Sequence, residues 1–202
     1  MRPALVGGHS GAFVIAGVVM IAGLANAAVT TFEVVWPWMM AGGVAIAAGL
    51  FRLASRLQGR AARVGRTGRV LACIAGAGAL VYVAVTVSFL TAGVAGVQLP
   101  APLEGLFGIG GLGFLTGVIL ASVLLGSAAL RHGTGSHAAG LLLLLNGLLF
   151  LSPFPVLLGL DIPEAMPFIS VALLAIVQLL IGYTLRPTAT GPSTAQSEAP
   201  QL

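Results

Sequence analysis

The chain contains no lysine and a single cysteine among its 202 residues. Without lysine, Schiff-base chemistry and a chromophore attached through a lysine amine are excluded. The lone Cys73 cannot form a disulfide within the chain. Because Cys73 lies at the start of an apolar stretch, its position indicates a small packing residue.

Charged residues are also scarce, at 7% of the sequence, whereas 58% of it is hydrophobic and the mean hydropathy is +1.08. A soluble domain of this size could not cover so much apolar surface with polar groups. The net charge of +4 would suggest nucleic acid if the arginines lay on a soluble surface. Here they flank apolar stretches, so we expect the lipid bilayer as the partner and no nucleic acid.

The apolar residues fall into six stretches, each close to the roughly 20 residues that a bilayer-spanning helix requires. These stretches cover 12–30, 37–53, 70–94, 106–130, 138–160 and 167–185, and none has a charged residue at its middle. The sequence therefore predicts an all-α, polytopic integral membrane protein. We expect residues 1–186 to form a bundle of six transmembrane helices arranged as three hairpins, and the polar residues 187–202 to form a disordered cytoplasmic tail.

Basic and acidic residues are sorted to opposite ends of these stretches. Six arginines lie between 52 and 69, and because cytoplasmic loops collect Lys and Arg, this loop should be cytoplasmic. Alternation then places both termini in the cytoplasm of a multi-pass protein of the cell membrane. The other arginines and the acids near the stretches agree: Arg2, Arg131 and Arg186 fall on the cytoplasmic side, and Glu33, Glu104, Asp161 and Glu164 fall outside. An alternative is cleavage of the first stretch as a signal peptide near 25–27, which would leave five spans.

The basic loop has a helical pattern of its own. Arg52, Arg56, Arg60 and Arg63 would share one face of an amphipathic helix that continues the second stretch. We expect this face to contact anionic lipid headgroups on the cytoplasmic side. The alternative is a solvated loop, because the glycines in this segment oppose a stable helix.

Small and polar residues inside the stretches predict where helices touch. Bilayer helices approach each other at small residues, and an unpaired amide in hydrocarbon costs several kcal/mol. The fifth stretch is rich in leucine and should be largely lipid-facing. In the second stretch, Ala41, Ala45 and Gly49 form a ladder of small residues at four-residue steps. The residues expected at helix contacts are Gly113, Gly117, Ala121, Asn26, Asn146 and Gln178.

Three motifs suggest chemistry without supporting it. Residues 8–11, Gly-His-Ser-Gly, match the G-x-S-G pattern of rhomboid-type proteases, but they precede the first stretch and the last stretch has no histidine. The glycine run 105–113 lacks the preceding strand of a dinucleotide site. His9, His132 and His137 fall on one side with no cysteine or carboxylate beside them. We therefore predict no catalytic residue, no cofactor and no metal site.

These patterns favour a noncatalytic membrane protein that serves as a small scaffold, accessory or stress-related subunit. Its partner would be another membrane protein or a second copy of the chain. The alternatives are a carrier or channel for a neutral or weakly polar small molecule and, third, an intramembrane enzyme. Transport coupled to an ion through a membrane carboxylate is not expected, because no stretch contains one.

Overall fold

The computed structural model describes residues 10–29, 35–96, 100, 102–132, 136–152 and 165–186. Within these ranges the chain is helical and has no strand. The elements are α1 (Ser10–Val29), α2 (Val35–Ser55), a 3-10 turn (Gly59–Ala61), α3 (Ala62–Ala95), α4 (Pro102–His132), α5 (His137–Leu149) and α6 (Ala165–Thr184). The predicted tail and the residues Arg2, His9, Glu33, Asp161 and Glu164 lie outside these ranges.

Four of the helices, α1 to α4, are long and apolar enough to cross a membrane. Two shorter apolar helices, His137–Leu149 and Phe168–Thr184, complete the set. Within the described residues, the prediction of an all-helical chain with helices long and apolar enough to cross a membrane is confirmed. The predicted bounds differ most for α3, which begins eight residues before 70, and for α5, which ends at Leu149 although the apolar stretch continues to 160.

The six helices of the described residues pack as a closed ring. Each helix contacts the next one in sequence, α6 returns to α1, and α2 also reaches α4. The contacts of α2 with α3 and of α4 with α5 are as extensive as those of α1 with α2, while α5 and α6 touch least among sequential neighbours. The contacts therefore do not divide the bundle into three separate hairpins. We call the end formed by the starts of α1, α3 and α5 and by the ends of α2, α4 and α6 the basic end.

The closest helix pair is α3 with α4, whose backbones touch at glycines. A Cβ on Gly78 would lie 2.5 Å from the backbone nitrogen of Phe114, and one on Gly117 would lie 2.7 Å from that of Ala75. No side chain fits at either point, so glycine is required by the approach of the two helices. Ala121 is fully buried, and Gly113 lies beside Gly78 in the same contact.

The small-residue contact of α2 differs from the predicted ladder. Ala41 is exposed and Ala45 is half-buried, whereas Gly42, Gly43 and Ala47 are buried together with Gly49. A four-residue spacing of small side chains occurs on several faces of this glycine- and alanine-rich helix. The large side chains of the neighbouring helices decide which face is used, as where the ring of Phe114 covers Gly43.

The basic segment after α2 is not a continuation of that helix, so this prediction is wrong. α2 ends at Ser55, and Gly59 has a left-handed backbone (φ +62°) that favours glycine. Leu57 and Ala61 are buried in the bundle. Burial of these two side chains turns the chain back toward α3. The helical spacing of the arginines therefore does not produce the continuous helix that it predicted.

The arginines expected on one helical face are separated by this turn. Arg52 lies in the last turn of α2, Arg56 follows the helix, and Arg63 lies in the first turn of α3. Arg52 and Arg63 are exposed and Arg56 is half-buried. Arg60 lies in the 3-10 turn between the two helices.

Candidate functional site

Three polar side chains are fully buried, one on each of three neighbouring helices. They are Ser122 of α4, Asn146 of α5 and Gln178 of α6, each with 0% of its surface exposed, and they are the buried polar side chains of the described residues. Their neighbours in the interior are apolar, including Leu125, Leu143 and Leu174. We call these three residues the polar cluster.

The polar cluster is one chain of hydrogen bonds. Asn146 Nδ2 donates to Ser122 Oγ at 3.0 Å, and Gln178 Nε2 donates to Asn146 Oδ1. Asn146 therefore uses both ends of its amide, one toward α4 and the other toward α6. The sequence prediction that Asn146 and Gln178 turn toward neighbouring helices corresponds to this arrangement.

Small residues bring α5 close enough to α4 for the bond between Asn146 and Ser122. A Cβ on Gly147 would lie 3.3 Å from the carbonyl oxygen of Ile119, and one on Gly126 would lie 2.8 Å from that of Gly140. The buried face of α5 contains Ala139, Gly140, Leu143, Asn146 and Gly147. The expectation of a largely lipid-facing helix is therefore wrong for this face, while Leu141, Leu145 and Leu148 are exposed on the other.

One atom of the polar cluster has no partner. Gln178 Oε1 is buried and accepts no hydrogen bond from any group in the described part of the chain. A buried acceptor left unpaired costs about 1–3 kcal/mol. The side-chain oxygen of Gln178 is thus available to accept a hydrogen bond from a neutral donor.

The polar cluster lies at one depth in the bundle. Ser122 is nine residues before Arg131, Asn146 is nine residues after His137, and Gln178 is eight residues before Arg186. At about 1.5 Å per helical residue, the three are roughly 12–14 Å from Arg131, His137 and Arg186, respectively, at the basic end. Half of a hydrocarbon core about 30 Å thick is a similar distance, as expected for a cluster near the middle of a bilayer that these helices would cross.

The chemistry available to the polar cluster is neutral hydrogen bonding. A serine nucleophile is activated by a neighbouring base, but the partner of Ser122 is the NH₂ group of Asn146, which donates and cannot take a proton. The arrangement can hold helices together or bind a small neutral donor or acceptor.

Three other polar residues of the helices, Asn26, Thr86 and Ser88, lie elsewhere. Asn26 is half-buried on α1, nine residues beyond Gly17, which packs on Leu179 beside the polar cluster; this places Asn26 roughly 14 Å further along the helix. Thr86 and Ser88 donate to carbonyl oxygens of their own helix at 2.9 Å. These residues are therefore not brought to the cluster.

The two described histidines lie at the basic end. His132 ends α4 and His137 begins α5, and both side chains are exposed. Among the residues that the structure describes, no group of three His, Cys, Asp or Glu side chains is placed to hold a metal ion.

Ser122 is the functional candidate that the sequence did not single out. Its hydroxyl is one of several in the apolar stretches, and its sequence neighbours Ala121 and Val123 do not distinguish it. One available signal was Gly126, a turn later on the same helix face, which permits the approach of α5. No family model, curated protein or solved structure matches the chain, so residues and geometry are the basis for assigning its role.

Proposed function

We propose that the chain is a noncatalytic, six-span integral membrane protein that serves as a scaffold, accessory or stress-related subunit. The observation that carries this proposal is the neutral polar cluster, whose three side chains are joined by hydrogen bonds inside a largely apolar bundle. Its amides and hydroxyl bind each other across α4, α5 and α6. Such bonds between membrane helices contribute about 0.6–2 kcal/mol each and hold a bundle in one arrangement.

In this proposal the basic end faces the cytoplasm and the helices span the membrane in six passes, with both termini cytoplasmic. The arginines of the described helices all lie at the basic end, which supports this orientation under the positive-inside rule. Packing of α1 against both α2 and α6 supports an uncleaved first span. α5, with 13 residues, is about 20 Å long, which is shorter than a hydrocarbon core about 30 Å thick.

A partner helix would pack on small residues that the bundle itself leaves exposed. The glycines at 78 and 117 are occupied by the α3–α4 contact. Ala77 and Ala84 of α3 are exposed, and a Cβ on Gly108 of α4 would meet no atom within 4 Å. Among the exposed small residues of the bundle, we assign the partner to those on the outer surface of α3 and α4.

Photocrosslinking residues at Ala84 and Gly108 test this role in native membranes. Ile176, which is exposed on α6, provides the matched control on another face. We expect one discrete protein adduct from Ala84 and Gly108 and none from Ile176, and two differently tagged copies distinguish a second chain from another protein. The same products from all three positions would contradict the assignment.

A second function, a carrier or channel for a neutral or weakly polar small molecule, is favoured by the unpaired Gln178 Oε1. Its test is solute entry into vesicles containing the purified protein, measured with glycerol and urea against protein-free vesicles. The scaffold proposal predicts no added permeability. Added permeability that is lost in a folded Gln178→Met variant would contradict the scaffold proposal and support the carrier.

A further inference from the structure

The start of α3 combines several positive charges. Arg63, Arg66 and Arg69 are all exposed on its first two turns, and three-residue spacing makes them neighbours on the helix surface. The N-cap residue Ala61 makes no side-chain capping bond, and the first turn contains no acid. Because a helix N-terminus carries a positive partial charge, this end of α3 repels its own arginines.

This basic surface is held in place by apolar contacts. Leu57 and Ala61 are buried immediately before α3. A Cβ on Gly65 would lie 2.6 Å from the carbonyl oxygen of Ala54, so the start of α3 is packed tightly on the end of α2. The arginines therefore project from a fixed backbone, although no carboxylate of the described residues lies at the basic end to neutralise them.

The position of the arginines matches the edge of the lipid-facing surface. Arg69 is followed directly by Val70, which is exposed, and Ile74 is exposed one turn later. Lipid phosphates lie where an apolar helix surface gives way to charge. In a bilayer that α3 crosses, the three guanidinium groups would thus lie at the level of the headgroups of the adjacent leaflet.

The choice of cation also points to phosphate. All nine cationic residues of the chain are arginine, because the sequence has no lysine. Lysine and arginine serve equally in setting membrane orientation. Arginine differs from lysine because its planar guanidinium group forms bidentate pairs with phosphate oxygens. Setting the orientation of the protein in the membrane does not require such pairs.

We propose that Arg63, Arg66 and Arg69 form a binding site for the phosphate groups of anionic phospholipids in the adjacent leaflet. The lipid phosphates supply the negative charge that the start of α3 lacks. This site differs from the face expected from the sequence, because the turn at 56–61 separates Arg52 and Arg56 from α3. It is independent of whether the bundle acts as a scaffold or a carrier.

The test is the thermal stability of the full-length protein in neutral detergent with added lipid. Phosphatidylglycerol should raise Tm, phosphatidylcholine with the same acyl chains should not, and the shift should shrink as salt is raised. Arg63→Gln/Arg66→Gln should lose most of the shift. Arg131→Gln/Arg186→Gln removes the same charge from the same end and should keep the shift.

The stability without added lipid gives a second, opposite readout. In neutral detergent, Arg63→Gln/Arg66→Gln should be at least as stable as the unmodified protein, because the repulsion at the start of α3 is relieved. A lower Tm of this variant without lipid would overturn the electrostatic premise. Equal shifts from the two lipids, equal losses in the two double variants, or a full shift from inorganic phosphate alone would overturn the lipid site.

Discussion

Phe114 and Phe150 meet edge to face inside the bundle, with ring centroids 5.5 Å apart and an interplanar angle of 85°. Both side chains are fully buried. The ring of Phe114 also covers Gly43, where a Cβ would lie 2.4 Å from it. One aromatic side chain of α4 therefore fills the space between α2 and the end of α5.

The contact between Gly43 and Phe114 predicts a non-additive pair of substitutions. Gly43→Ala should lower stability by about 1–3 kcal/mol, because the new methyl group overlaps the ring. Phe114→Leu should also destabilise, because it leaves a cavity. The double variant should lose less than the sum of the two, since the smaller side chain makes room for the methyl group. Unfolding of the purified protein in detergent measures all three, and strict additivity would contradict the contact.

The backbone contact between α3 and α4 predicts a strong effect at Gly78 and a weak one at Gly108. In Gly78→Ala the methyl group would meet backbone atoms of α4, which cannot turn aside as a side chain can. We expect a loss of about 1–3 kcal/mol. In Gly108→Ala the methyl group meets no atom within 4 Å, so stability should be unchanged or rise by up to about 1 kcal/mol through helix propensity. Equal losses in the two variants, compared by thermal unfolding, would show that α3 and α4 are further apart.

The hydrogen bonds of the polar cluster predict that replacing Asn146 lowers stability more than replacing Gln178. Asn146→Leu leaves both Ser122 Oγ and Gln178 Nε2 without partners, and it should cost about 2–3 kcal/mol. Gln178→Met removes the unpaired Oε1 together with a single bond, so its cost should be smaller. A double-mutant cycle should give a coupling of about 0.6–1.7 kcal/mol. No coupling would mean that the two amides are not bonded.

The charge distribution predicts which bundle end an impermeant thiol reagent reaches. In a Cys73→Ala background, Gln58→Cys at the basic end should be protected in intact cells, and Pro100→Cys at the opposite end should react. Both positions are exposed, so access and not burial decides the result. After the membrane is opened, Gln58→Cys should react as well. Labelling of Gln58→Cys in intact cells would reverse the proposed orientation.

The helices were predictable because runs of apolar residues bounded by charge leave few alternatives in a bilayer. The ends of the helices were less predictable. α3 begins before Arg63, Arg66 and Arg69 and includes them, since a helix can extend beyond the hydrocarbon core. The turn at 56–61 was missed because charge spacing carries no information on the burial of Leu57 and Ala61. Long-range packing decides such a turn.

The polar cluster was partly predictable for a related reason. Amides in apolar stretches require partners, which identified Asn146 and Gln178, but the choice of Ser122 depends on the register of three helices. That register is set by close contacts such as those at Gly126 and Gly147. The spacing of small residues along one helix does not identify the helix that faces them.

The closure of the ring has a consequence for the order of assembly. Gly17 of α1 packs on Ala175 and Leu179, and Gly182 of α6 packs on Ser10 and Val14. During synthesis, α1 is made long before α6, so this face of α1 lacks its packing partner until α6 is complete. Until α6 arrives, Asn146 also lacks the donor that Gln178 provides. A chain interrupted before α6 would thus leave Asn146 Oδ1 without its donor, while Asn146 Nδ2 could still donate to Ser122.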